Sequence, residues 1–198
     1  MKKFILVALL VTTVLLTGCS KKEIKEVIES QQTENHDFRN VNWGDDIETV
    51  KKSEKINPSQ ETQNSLVYKV SVANESNVLL VYNFDLNGKL YNGSYGFDYS
   101  TNSGQDIKRY DILKESLSEI YGKPNKDGIS KISTLADNPY ISTEESLERG
   151  YIEYSTMWVN DKTGVVLNMS SKNYKTLTSI IYIDVNNLID TKTDKNGL

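Results

Sequence analysis

The dipeptide Asn87-Gly88 sits between two stretches that alternate apolar and polar residues, and this arrangement constrains the chain more than any other feature. Asn-Gly is the strongest short hairpin signal, because both central residues of the favoured turn need φ > 0. A two-residue turn pairs Leu86 with Lys89, Phe84 with Tyr91, Tyr82 with Gly93, Leu80 with Tyr95 and Val78 with Phe97. Beyond the turn, those residues share one face, which is strongly apolar and aromatic. The reverse face carries Asn83, Asp85, Asn92 and Ser94. Turn chemistry and alternation therefore agree on one register, and a single-residue slip would reverse every side chain.

The remaining elements fall around this hairpin. Leu66, Tyr68, Val70 and Val72 alternate and predict a preceding strand. Before it, Asp45-Asp46-Ile47-Glu48 resembles a capping box with Asp45 as N-cap. It opens a short helix to about Lys55, with Ile47 and Val50 inward and Asn57-Pro58-Ser59 as the stop. Ile107, Tyr110, Leu113, Leu117, Ile120 and Tyr121 follow helical spacing over 106–121, with Gly122 and Pro124 ending the helix. Residues 125–149 show no clear period, apart from a helical turn at Glu144–Arg149. Strands follow at Tyr151–Trp158, Gly164–Ser170 and Leu177–Val185, the first two joined by a turn at Asn160–Gly164. The order is helix, three strands, helix, three strands. It predicts an α+β fold in which two α-β-β-β units form one antiparallel sheet with helices on one face. The repeat is weak: Phe84 and Trp158 hold similar places in their hairpins, while the helix spacings require an insertion in the second unit.

The ends of the 198-residue chain read differently. Met1-Lys2-Lys3 precedes an uncharged apolar run from Phe4 to Leu16, 13 residues against the roughly 20 that a spanning helix needs. Leu16-Thr17-Gly18-Cys19 then resembles the lipobox of bacterial lipoproteins. The resemblance implies cleavage of a signal peptide at 1–18, diacylglyceryl transfer to the Cys19 thiol and palmitate-type acylation of the new amino terminus. Two or three acyl chains anchor a protein stably, whereas one is marginal. The expected location is the extracytoplasmic face of the cell membrane. Residues 19–37 read as a tether: from Ser20 to Asp37 there are three Lys and five acidic residues, and the apolar stripe of Ile24, Val27 and Ile28 is too thin to fold alone. The globular domain then spans 38–185, and 186–198 reads as a flexible tail.

At domain level Phe38, Trp43-Gly44, Val50 and Glu54 stand out. So do Tyr82-Asn83-Phe84, Gly88-Lys89-Leu90, Tyr121-Gly122-Lys123-Pro124, Trp158 and Ile181-Tyr182. Together they resemble a family of uncharacterised bacterial envelope lipoproteins, over most of 38–185. Tandem α-β-β-β units also resemble the beta-lactamase-inhibitor-protein-like fold and small outer-membrane assembly lipoproteins. That likeness implies action by binding other proteins. Inhibitors of that type rely on disulfides, and Cys19 is the one Cys here.

Charge and residue types limit the chemistry. Removing Lys2 and Lys3 takes the formal charge from −4 to −6, unlike the basic stripe of a nucleic-acid binder. One Cys and one His leave no Cys-based zinc site and no multi-His metal site. His36 lies in the tether beside Asp37 and reads as solvated. There is no Gly-rich phosphate loop, and no cofactor is expected. The densest carboxylates, Asp45-Asp46-Glu48 and Glu144-Glu145-Glu148, read as helix capping and a solvated helix face. Asp85-Leu86-Asn87-Gly88 and Asn160-Asp161-Lys162 lack regular calcium-ligand spacing, and Asp190–Gly197 matches a calcium loop only loosely.

Of 18 aromatic residues 12 are Tyr, a type favoured both on half-buried strands and at binding surfaces. Tyr82, Tyr91 and Tyr95 are expected under a helix. Tyr99, Tyr140, Tyr151, Tyr154 and Tyr174 are the candidates for a recognition surface. The expected function is a non-enzymatic, lipid-anchored module that binds a protein or peptide. The alternatives are a sensor of a small ligand or cell-wall fragment, which needs an apolar pocket, and a hydrolase built on a carboxylate pair.

Overall fold

The structure, a computed structural model, describes residues 36–72 and 75–187. The signal peptide, Cys19, most of the tether and the segment 190–197 lie outside the described residues. In chain order the elements are α1 (Ile47–Ser53), β1 (Gln60–Glu61), β2 (Ser65–Val72), β3 (Glu75–Phe84) and β4 (Leu90–Gly96). Then come α2 (Ser103–Tyr121), β5 (Lys126–Lys131), α3 (Thr143–Glu148), β6 (Ile152–Val159), β7 (Thr163–Lys172) and β8 (Lys175–Asp184). The strands form one eight-stranded sheet in the order β1-β2-β3-β4-β8-β7-β6-β5, and every pairing is antiparallel. This is an α+β fold, as the order of elements predicts.

Register explains why one face of the sheet is core. Leu66 pairs with Tyr82, Tyr82 with Gly93, Gly93 with Tyr182, Tyr182 with Val165 and Val165 with Trp158. One row up, Tyr68, Leu80, Tyr95, Ile180, Leu167 and Thr156 are aligned in the same way. All of these except Gly93 are buried side chains. The helices cover this face. The Tyr110 hydroxyl of α2 reaches Thr156 Oγ1 at 2.8 Å, and Trp158 Nε1 donates to the Gly122 carbonyl at 3.1 Å. On the other half, the segment Phe38–Glu54 lies over Tyr82 and Tyr95.

The last three strands shift by one or two residues at their ends, and larger departures from the sequence expectation occur at the first helix, the hairpin and the second helix. Asp46, rather than Asp45, caps α1 by accepting the Thr49 N–H at 2.8 Å, and α1 stops at Ser53. Asp45 instead accepts the Asn42 N–H, and its carbonyl takes the Leu90 N–H, so it ties the helix entry to β4. The Asn87-Gly88 loop is also wider than two residues. Asp85 Oδ1 accepts the N–H groups of both Asn87 and Lys89, and this side chain stands in for a tight turn. The predicted register holds to Asn83–Asn92. A bulge then pairs Phe84 with Leu90, so Leu90 is buried and Tyr91 is left half-buried. The helix at 106–121 starts earlier, at Ser103, because Asn102 caps it on Gln105 N–H.

Candidate functional site

Three of the five candidate tyrosines are exposed: Tyr99 at 67%, Tyr140 at 93% and Tyr174 at 60%. Tyr151 is half-buried. Tyr154 is not a surface residue. It alternates with Ile152, Thr156 and Trp158 on the inner face of β6, and its ring meets Tyr110 at 5.3 Å. Burial also pushes its hydroxyl pKa upward. Tyr154 is therefore core, and alternation along β6 already carried that signal.

Topology gathers Tyr99, Tyr151 and Tyr174 at one end of the sheet. Tyr174 lies in the β7–β8 turn, Tyr151 immediately precedes β6, and Tyr99 follows the C-terminal end of β4. The β4, β8, β7 and β6 register brings those strand ends to the same side. Two direct contacts fix the arrangement. Ser100 and Thr176 exchange backbone hydrogen bonds at 2.9 and 2.8 Å, next to Tyr99 and Tyr174. A Cβ on Gly150 would stand 2.8 Å from the Ser171 carbonyl oxygen, so the approach to Tyr151 runs against the end of β7. Tyr140 precedes Ser142, the N-cap of α3.

Tyr174 has an unusual backbone. The β7–β8 loop turns through Asn173 at φ 53° and Tyr174 at φ 60°. Asn tolerates the left-handed region, but a bulky L-residue there costs roughly 1–2 kcal/mol. The strained residue at this hairpin tip is an exposed aromatic.

A second feature had no sequence signal. The turn Phe38–Val41 carries Arg39 at φ 53° into the domain. There the Arg39 guanidinium makes a two-point contact with Glu54: Nε to Oε1 at 2.8 Å and Nη2 to Oε2 at 3.1 Å. Arg39 Nη1 also meets the Tyr95 hydroxyl at 3.0 Å, and the Tyr82 hydroxyl donates to Glu54 Oε1. Burial opposes the charge on Arg39, but Tyr95, Tyr82 and Glu54 more than offset it, and the guanidinium pKa lies above its ordinary value. Burial and then Glu54 drive the Tyr82 hydroxyl far up, and burial pushes Tyr95 up to about 12, with Arg39 working against it. Beside this network lies an open cleft of about 430 Å³, between the 53–56 segment and β2.

The carboxylate clusters stay apart. Asp45 and Asp46 cap the entry to α1, Glu48 lies 3.4 Å from Lys51, and Glu145 pairs with Arg149 on α3 at 2.6 Å. His36 is half-buried rather than solvated. It lines a cleft with Asp37 and Asn160–Thr163, and its Nδ1 is shut off from solvent without a partner. Among the described residues no group of three or more His, Cys, Asp or Glu side chains could hold a metal ion, and no helix is long and apolar enough to cross a membrane. No protein-family model, curated protein or solved structure matches the chain.

Proposed function

We propose that this chain is a lipid-anchored cell-envelope protein, held at the extracytoplasmic membrane face through Cys19, whose domain binds a protein or peptide and does no chemistry. The observation that carries the reading is Tyr174, an exposed ring held at left-handed φ on a hairpin tip. Strained backbone residues cluster at active sites, ligand clamps and switch regions. Tyr and its neighbours bring large contact area at low entropic cost, which suits recognition. Tyr99 and Tyr151 at the same sheet end extend the surface. We read the domain as two α-β-β-β units, α1 with β2–β4 and α2 with β6–β8, joined through their third strands. β5 and α3 are then the insertion in the second unit. The test is a photo-crosslinking residue placed at position 99 of the membrane-bound chain, followed by mass spectrometry of the adducts. One reproducible protein adduct, lost in Tyr174→Ala, supports the reading. Adducts no different from those of a crosslinker placed at Lys108 on α2 overturn it.

A further inference from the structure

The strand β2 is only half covered. β1 pairs with it at Leu66 and Val67 alone, so among the described residues no strand lies beside Tyr68–Val72. The Val67 carbonyl accepts the Ser59 N–H at 2.7 Å, which shows that Val67 directs its backbone groups towards β1. Backbone direction alternates along an antiparallel strand. Lys69 and Ser71 therefore present N–H and C=O to the bare side, while Tyr68 and Val70 bond to β3. Five residues give an edge of about 17 Å. The cleft of about 430 Å³ runs along this edge, lined by Arg39, Lys55, Ile56, Lys69, Val70 and Ser71.

Its charge is one-sided. Arg39 is matched by Glu54 on its floor, whereas Lys55 and Lys69 are exposed and have no ion pair among the described residues. Ile56, 48% exposed, adds an apolar contact. A second copy pairing at the same edge would bring Lys69 against like charge, the usual device by which edges resist self-association. The other border of the sheet, β5, is exposed along its whole length and has Lys126 and Lys131 at its ends.

We propose that the bare edge of β2 accepts an extended acidic peptide segment of a partner as an added strand, with Lys55 and Lys69 flanking its carboxylates. Main-chain bonds to Lys69 and Ser71 supply affinity, and the two ammonium groups supply selectivity. This site lies on β2, two strands from β4, and shares no residue with the tyrosine-bearing surface.

The probe is a labelled, end-blocked eight-residue peptide alternating Glu and Val, titrated by fluorescence anisotropy onto the full-length chain in detergent. The same peptide with Lys for Glu is the comparison. The Glu peptide should bind, the Lys peptide should bind at least about tenfold more weakly, and Lys55→Glu/Lys69→Glu should reverse the order. Lys69→Pro should abolish binding while leaving the fold intact, because its N–H faces away from β3. Lys69→Ala, which keeps the N–H, should lose only part of the affinity. Amide exchange read at Lys69 and Ser71 of the unmodified chain should slow on peptide addition, which tests strand addition even if the Pro variant unfolds. Absent binding, equal affinity for both peptides, unchanged exchange at Lys69, or competition by free glutamate as strong as by the peptide would each overturn the proposal. A dimer in sedimentation that Lys69→Pro dissolves would assign the edge to a second copy instead. Because Tyr174→Ala leaves this edge intact, its peptide affinity should be unchanged, so failure at one surface is distinguishable from failure at the other.

Discussion

The ring of Phe38 lies directly on Gly93: a Cβ built at Gly93 would fall 2.2 Å from the ring carbons. Gly93 stands opposite both Tyr82 and Tyr182 in the sheet, and Phe38 packs against those two rings at 5.4 and 4.9 Å. The missing side chain on β4 is thus the seat that docks the N-terminal segment onto the core. Gly93→Ala should destabilise the domain by about 1–3 kcal/mol, because the ring has no free side to move into. Chemical denaturation measures this. In Phe38→Leu the added methyl should cost clearly less, and the two changes should be non-additive because the residues touch.

Arg39 and Glu54 make a second such joint, between the first turn and the end of α1. Arg39→Met leaves the Glu54 carboxylate buried, with the Tyr82 hydroxyl still donating to it but no cation beside it, and should cost about 3–5 kcal/mol. Glu54→Gln should cost less, since the amide keeps the shape and one acceptor. A double-mutant cycle on urea unfolding should show the double variant well short of the summed losses. Additive losses would mean that the two groups do not stabilise each other.

These two joints mark the limit of what the residues reveal in order. The hairpin register from Leu80–Tyr95 to Asn83–Asn92 was legible, because turn chemistry and alternation point the same way. The inner face of α2 was legible at Tyr110, Leu113 and Leu117, which recur at helical spacing and are buried. β5 was not legible, since all six of its residues are exposed and an edge strand without a buried face leaves no period. The Arg39–Glu54 pair was hidden because two polar residues 15 apart normally face water. Only the tertiary approach of the Phe38–Val41 turn brings them together. Among the candidate tyrosines the error at Tyr154 came from weighing residue type over its place in the alternation of β6.

Alkaline titration should reveal the buried tyrosines of the core. Burial pushes Tyr95 and Tyr110 up to about 12, against an ordinary value of about 10. A raised folded pKa means that the neutral form is favoured by folding. The resulting stability is present in full below pH about 10 and is lost as the pH rises through about 12. The phenolate absorbance of these two rings should therefore appear only as the pH approaches about 12, accompanied by loss of the near-ultraviolet circular dichroism. Tyr110→Phe should remove one late-titrating group. At neutral pH it should cost about 1 kcal/mol, from the lost bond to Thr156 Oγ1.

The acid side carries the opposite sign. Hydrogen bonds from Thr49 hold Asp46 below its ordinary carboxylate pKa, and the Thr156 hydroxyl, followed by Lys114, does the same for Asp127. Their contributions are present above the ordinary carboxylate pKa and disappear as the pH falls through the lower folded values. Melting temperatures taken from neutral to acidic pH should fall less steeply in Asp46→Asn/Asp127→Asn than in the unmodified chain, because those carboxylates no longer bind protons. Parallel curves would show that neither group is linked to folding.

Tyr174 makes the sharpest demand on the proposed function, because stability and recognition should there move in opposite directions. Asn173 and Tyr174 both have positive φ, and the second such position in a tight hairpin ordinarily takes Gly. Tyr174→Gly removes the Cβ clash of the left-handed region but frees the unfolded chain. The net change should be a gain of up to about 1 kcal/mol. Tyr174→Asn keeps a side chain that tolerates this conformation and should gain a similar amount. If Tyr174 is displayed for binding, both variants should melt higher and both should lose the crosslinked partner. A lower melting temperature in both would instead make the ring a packing element of the hairpin, and the strain would then have no part in recognition.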